Sequence, residues 1–226
     1  MRHLLVTNDY PPKVGGIQSY MWELWRRLSP DDTCVFTTPH EGAAEFDAEQ
    51  SHRIVRAEQS VLLPTPATVR RVRELAAEHE AELVVIDPVL PIGLIGPQLG
   101  LPYAAVVFGA EIGVPARLAP TRWAMRRVLT NASFVVAISE YVLSEAERAA
   151  GQPLEHILIP PGVDAARFRP LGDGERAAAR RRFGLGDGPL VVGVSRLVPR
   201  KGFDTLIEAV AQVADRHPGI ELAIAG

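Results

Sequence analysis

The 226-residue chain holds one cysteine, Cys34 in the run TCVFT, and a single thiol excludes an internal disulfide or a cysteine cluster for a metal. Its expected role is that of a small buried hydrophobe. The six histidines, His3, His40, His52, His79, His156 and His217, recur at no metal-ligand spacing, so no metal cofactor is expected. No apolar run approaches the ~20 residues that span a bilayer. The opening MRHLLVTNDY turns polar too soon for a secretory leader, which makes a cytoplasmic protein the expectation. Positive charge is not in excess either: the net charge is -3, whereas general nucleic-acid binding calls for a basic domain. Lysine is scarce, with only Lys13 and Lys201 present and arginine at every other basic position. Both lysines fall in glycine-containing loops behind a predicted strand.

What the chain does have is an alternation of short apolar runs with helical patterns. Runs at 3–7, 33–37, 53–57, 83–86, 103–107, 134–138 and 157–159 read as strands. Periodic apolar positions from Ile17 through Tyr20, Met21, Leu24 and Leu28, and over 66–80, 121–130 and 140–150, read as helices. Such alternation needs crossover connections and predicts an α/β fold with a largely parallel, doubly wound sheet. Ser139 is placed to cap the helix that Glu140 opens. After Ile159 proline, glycine and charge dominate around one arginine-rich helix, 175–183. The expected organisation is a first domain over 1–165, a connection over 166–188 and the start of a second α/β domain over 189–226. Those last residues are too few to close a parallel core, so the sequence reads as an N-terminal portion or a truncated product.

Two loops carry the chemistry. In the first, Tyr10-Pro11-Pro12-Lys13-Val14-Gly15-Gly16 separates a strand from a helix; the glycines permit close backbone approach, and the helix start offers free N–H groups to an anion. A tight turn would use the same glycines. In the second, the run Leu190–Val194 is β-branched enough to be a strand buried on both faces. Behind it Ser195, Arg196, Pro199, Arg200, Lys201 and Gly202 lead into a helix where Leu206, Val210 and Val213 repeat. Three cations between a parallel strand and a helix N-terminus form a candidate phosphate loop; a basic surface turn is the plainer alternative.

The strings NDYPPKVGGIQSY, GAEIGVP, IPPGVDAARFRP and VSRLVPRKGFDTLIEA resemble the retaining family-four glycosyltransferases of the GT-B fold. The similarity runs the length of the chain and is greatest to GDP-mannose-dependent phosphatidylinositol mannoside mannosyltransferases. The resemblance implies two Rossmann-like domains, a nucleotide-sugar donor and a lipid or glycan acceptor. It implies a donor diphosphate held by Arg196 and Lys201, and Gly15 and Gly16 directed at phosphates of donor or acceptor. UDP- or ADP-glucose as donor, and a non-catalytic scaffolding protein, are the alternatives it leaves. Many relatives carry histidine where this chain has Phe108, and a phenyl ring neither donates a hydrogen bond nor shares a proton. Glu111, the only charged side chain in that turn, is the candidate catalytic residue or a structural cap. The family's acidic motif would fall after residue 226, so little transferase activity is expected of these residues alone.

A lipid acceptor would bring the protein to the inner face of the cell membrane. Arg70, Arg71 and Arg73 on one predicted helix, next to the apolar run Val61-Leu62-Leu63, are candidate contacts with anionic lipid; Arg122, Trp123, Arg126 and Arg127 form a second such cluster. An ordinary solvated helix face, partly neutralised by Glu74 and Glu78, is the other reading of the first.

Overall fold

A computed structural model of the chain describes residues 1–109, 112 and 119–226. These form two compact units, Met1–Gly162 and Val163–Gly226. Residues 166–188 therefore lie inside the second unit.

Unit one is organised by seven strands: β1 (His3–Thr7), β2 (Thr33–Thr37), β3 (Arg53–Arg56), β4 (Leu83–Asp87), β5 (Tyr103–Val107), β6 (Phe134–Ala137) and β7 (His156–Leu158). They lie in the order β3-β2-β1-β4-β5-β6-β7, every pair parallel. β1 sits near the centre, His3 facing Thr33 on one side and Leu83 on the other. Apolar side chains leave both faces of such a strand. Leu4 and Val6 pack with α3 (Pro66–Glu78), the 3-10 segment Ile92–Gln98, α4 (Ala119–Asn131) and α5 (Glu140–Ala150). Leu5 points the opposite way, toward α1 (Gly16–Trp25) and α2 (Ala43–Ala48), where Met21 and Trp25 are buried and Phe46 packs against them. Burial on both faces explains why the strands read as unbroken apolar runs.

Local signals fix the helix ends. Thr65 and Ser139 accept hydrogen bonds from Thr68 N–H and Val142 N–H, capping α3 and α5. Gly151 ends α5 at φ 73°, a left-handed conformation that glycine adopts without strain. α1 is shorter than its periodicity suggests: it stops at Trp25, and Leu28, expected on its apolar face, is 40% exposed. Pro30 begins a 3-10 turn and holds Ser29 in an extended conformation, so the chain has left the helix before Leu28 can reach the core.

In unit two, α6 (Asp173–Arg182) is followed by β8 (Leu190–Val194), α7 (Phe203–Val213) and β9 (Glu221–Ala225). β8 and β9 pair in parallel, Gly193 opposite Ile224. Arg180 donates to the carbonyls of Gly186 and Gly188, and Glu221 accepts from Gly186 N–H, which ties α6 to the strand pair. Within unit two one face of β8 is covered. A Cβ at Gly193 would meet the Phe203 ring at 2.7 Å, so α7 closes that side, while Val192 and Val194 remain 59% and 76% exposed.

Candidate functional site

The first candidate loop leaves β1 at its carboxyl end, where parallel α/β sheets place their ligands. Thr7 is buried and its hydroxyl donates to Asp87 Oδ2 at the end of β4 (2.8 Å), while accepting from Asp9 N–H (2.8 Å). Asn8 exchanges two hydrogen bonds with the backbone of Leu62. Asp9 Oδ1 then receives both Lys13 Nζ (2.8 Å) and Gln18 Nε2. One carboxylate thus holds both ends of the glycine loop. Gly15 is extended and caps α1, with its carbonyl accepting from Ser19 N–H (3.0 Å). The N–H groups from Gly16 to Gln18 precede the helical ladder and have no partner within it. A Cβ at Gly15 would lie 2.1 Å from Gln18 Oε1, whereas at Gly16 nothing stands within 4 Å. A side chain at Gly15 would therefore have to displace the Gln18 amide, and Gly16 presents open space.

Behind this loop sits a polar brace with no obvious signature in the sequence. Arg56 pairs with both oxygens of Asp47 (2.7 and 3.0 Å) and donates to the carbonyls of Thr38 and Pro11. Buried Tyr10 shares a 2.9 Å hydrogen bond with His52 Nε2. Burial pushes the Tyr10 phenol above its ordinary range and the His52 imidazole below its own, so both are neutral near pH 7.

In the second loop Arg196, Arg200 and Lys201 lie on one tight turn ahead of α7. Val198 N–H donates to Arg196 O and Lys201 N–H to Val198 O (both 2.9 Å), closing a tight turn over Pro199–Lys201. Gly202 follows at φ 66° and caps α7, a position that a side chain would strain. Ser195 N–H donates to Ala225 O (3.0 Å), fixing the loop's start to the end of β9. Arg196 and Lys201 are exposed, and among the described residues no carboxylate or carbonyl engages their side chains. Two unneutralised cations before a helix start suit a doubly charged phosphate group.

The arginines of α3 are arranged differently from the lipid-facing set expected. Arg73 turns back onto the 3-10 segment and donates to the carbonyls of Gln98 and Leu99, so it supports the fold. Arg71 lies 3.4 and 3.5 Å from Glu74 and Glu78, and Arg70 lies 3.9 Å from Glu74. Arg56, Leu62, Leu63, Thr68, Arg71 and Glu74 help line a cavity of about 560 Å³ between β3 and α3. Phe108 fills a packing position: its ring meets Tyr20 edge-on at 5.3 Å, and Tyr20 in turn donates to Ile159 O (2.8 Å). Glu111 lies outside the described residues. Among those residues, no group of three or more His, Cys, Asp or Glu gathers to hold a metal ion, and no helix is long and apolar enough to cross a membrane.

Against known proteins, the chain is 41% identical to the GDP-mannose-dependent alpha-(1-6)-phosphatidylinositol monomannoside mannosyltransferase of Mycolicibacterium smegmatis, over 99% of this chain and 60% of that protein. It is 34% identical to a GDP-mannose-dependent monoacylated alpha-(1-6)-phosphatidylinositol monomannoside mannosyltransferase of Corynebacterium glutamicum, with 99% and 60% covered. The chain spans about 60% of the length of these relatives. Among solved structures, Anabaena Alr3699/HepE in complex with UDP superposes with a TM-score of 0.77 at 19% identity, covering 99% of this chain and 60% of that one. The sucrose-phosphate synthase of Thermosynechococcus elongatus gives 0.69 at 21% identity, with 100% and 62% covered. These likenesses show the GT-B fold. Residues 14–167 match the family described as Glycosyltransferase Family 4, and the chain belongs to that family.

Proposed function

We propose that the protein serves in transfer of mannose from GDP-mannose to a phosphatidylinositol mannoside or a related glycolipid, with retention at the sugar carbon and without a metal ion. The observation that carries this reading is the 41% identity, sustained over 99% of the chain, to a mannosyltransferase of that donor and acceptor class.

The geometry supports a division of labour. Transfer breaks the bond between the mannose C1 and the β-phosphate oxygen; the acceptor hydroxyl oxygen bonds to C1 and its proton departs, leaving GDP with one more negative charge to stabilise. Arg196 supplies a planar fork of donors and Lys201 a compact charge for that diphosphate. Neither has to leave an internal partner first. In unit one, the N–H groups that follow Gly15 at the start of α1 offer an uncharged set of donors for a phosphate. Work on a lipid acceptor brings the protein to the cytoplasmic face of an anionic membrane.

The test is incubation of the complete natural protein with radiolabelled GDP-mannose and phosphatidylinositol monomannoside, with UDP-glucose as the competing donor. Label in the glycolipid from GDP-mannose alone supports the reading. Transfer from UDP-glucose in its place contradicts the donor assignment.

A further inference from the structure

Two helices on one face of the unit-one sheet carry three arginines each, and they differ in where that charge goes. On α3 the cations are neutralised by Glu74 and Glu78 or drawn onto backbone carbonyls. α4 has the sequence APTRWAMRRVLTN and contains no acidic residue at all. Its inner side is fixed by buried Met125, Val128 and Leu129. Its other side bears Arg122, Trp123, Arg126 and Arg127, all exposed. Among the described residues neither Arg126 nor Arg127 forms an ion pair.

The surroundings of these cations favour a planar anionic surface. Trp123 is 64% exposed, with the Arg127 guanidinium 6.0 Å from its ring centroid. Arg126 reaches the end of α5, where a Cβ on Gly151 would lie 3.6 Å from its Nη1. Trp123, Arg126, Arg127, Thr130 and Asn131 line a shallow depression of about 410 Å³. Indole rings partition to the boundary between lipid headgroups and acyl chains, and guanidinium forks match phosphate oxygens bidentately. An exposed tryptophan beside Arg126 and Arg127, on a chain whose net charge is -3, concentrates positive potential at one place.

We propose that the outer face of α4, centred on Trp123, Arg126 and Arg127, is the surface by which unit one docks on the phosphate headgroups of an anionic membrane, and that the arginines of α3 contribute little. This rests on the lipid-acceptor reading for its occupant and names the surface which that reading leaves open.

Co-sedimentation of the chain with phosphatidylcholine vesicles, with and without phosphatidylinositol, tests it in the absence of any sugar donor. Its outcome is thus separate from whether mannose is transferred. Binding should require the anionic lipid. Each basic residue near such a surface is worth about 1 kcal/mol, so the pair Arg126→Gln and Arg127→Gln should lower the partition coefficient roughly thirty-fold. The pair Arg70→Gln and Arg71→Gln should lower it less than about five-fold, because glutamates already offset those charges. The blue shift of tryptophan emission on vesicle addition should vanish in Trp123→Phe. All these side chains are exposed, and an unchanged melting temperature confirms that the variants are folded. Equal binding to neutral vesicles, equal losses from the two arginine pairs, or a blue shift that survives Trp123→Phe would overturn the proposal, as would capture by an acidic protein or nucleic acid with no vesicle binding.

Discussion

The chain builds the same device twice, a parallel strand leading through a glycine-containing loop into a helix, and the two copies handle charge in opposite ways. In the loop before α1, Lys13 is held by Asp9, the same carboxylate holds Gln18, and Arg56 is paired with Asp47 behind them. In the loop before α7, Arg196 and Lys201 have no internal partner among the described residues. The first loop is a shaped backbone surface whose cation is already neutralised. The second holds uncompensated positive charge on a tight turn. A charged ligand gains most where no internal pair must be broken first, so we assign the diphosphate of the proposed donor to the second loop. The first can contribute backbone donors and shape.

The comparison can be broken most sharply by removing the free cations. Arg196→Ala combined with Lys201→Ala should lower transfer from GDP-mannose by about two to three orders of magnitude, the scale of losing groups that stabilise developing charge. The melting temperature should not move, since these side chains support nothing in the fold. A large loss of stability in a thermal melt would show that the loop is structural.

The glycines of the first loop should separate in the same two measurements. Gly15→Ala sets a Cβ 2.1 Å from Gln18 Oε1 and displaces that side chain from Asp9, so stability should fall by about 1 kcal/mol in denaturant unfolding, the scale of one lost hydrogen bond. Gly16→Ala meets nothing of the protein within 4 Å and should leave stability unchanged while raising the KM for donor or acceptor. An unaltered KM would remove that loop from the binding surface.

A smaller contrast lies in pH. Burial holds His3 and His52 below their ordinary value of 6.5, so the unfolded chain takes up protons before the folded one does. Stability of unit one is then full above about pH 6.5 and declines as pH falls below it; His52→Gln should flatten part of that decline in urea titrations across the range. The smallest effect is assigned to Lys13. Its exposed pair with Asp9 is worth 1 kcal/mol or less, so Lys13→Gln should shift stability and turnover only slightly, in contrast to Lys201→Gln.

Much of this was legible in the order of residues. The parallel sheet followed from apolar runs such as LLV and YAAVV, because strands buried on both faces need continuous β-branched or apolar side chains. The cationic turn was legible because strand, glycine and helix signals adjoin in sequence. What was not legible depends on contacts distant along the chain. Nothing within a turn of Arg73 indicates that it reaches residues 98 and 99, and nothing near Arg56 indicates Asp47, Thr38 and Pro11. The three arginines of α3 therefore looked like one patch, whereas their neighbours divide them. α4 carries no acid of its own, a local fact that the sequence does show, and among the described residues Arg126 and Arg127 form no ion pair. The packing of Phe203 against Gly193 was likewise hidden, because it joins a strand to the helix after the cationic turn.

The measurement closest to the central claim is calorimetric titration of the protein with GDP and with GMP, repeated on the variant carrying Arg196→Ala and Lys201→Ala. If the free cations hold a diphosphate, GDP binds at least about tenfold tighter than GMP, the gain expected from one added charge-assisted contact, and the variant binds the two alike. A GDP preference that persists unchanged without Arg196 and Lys201 would contradict the account.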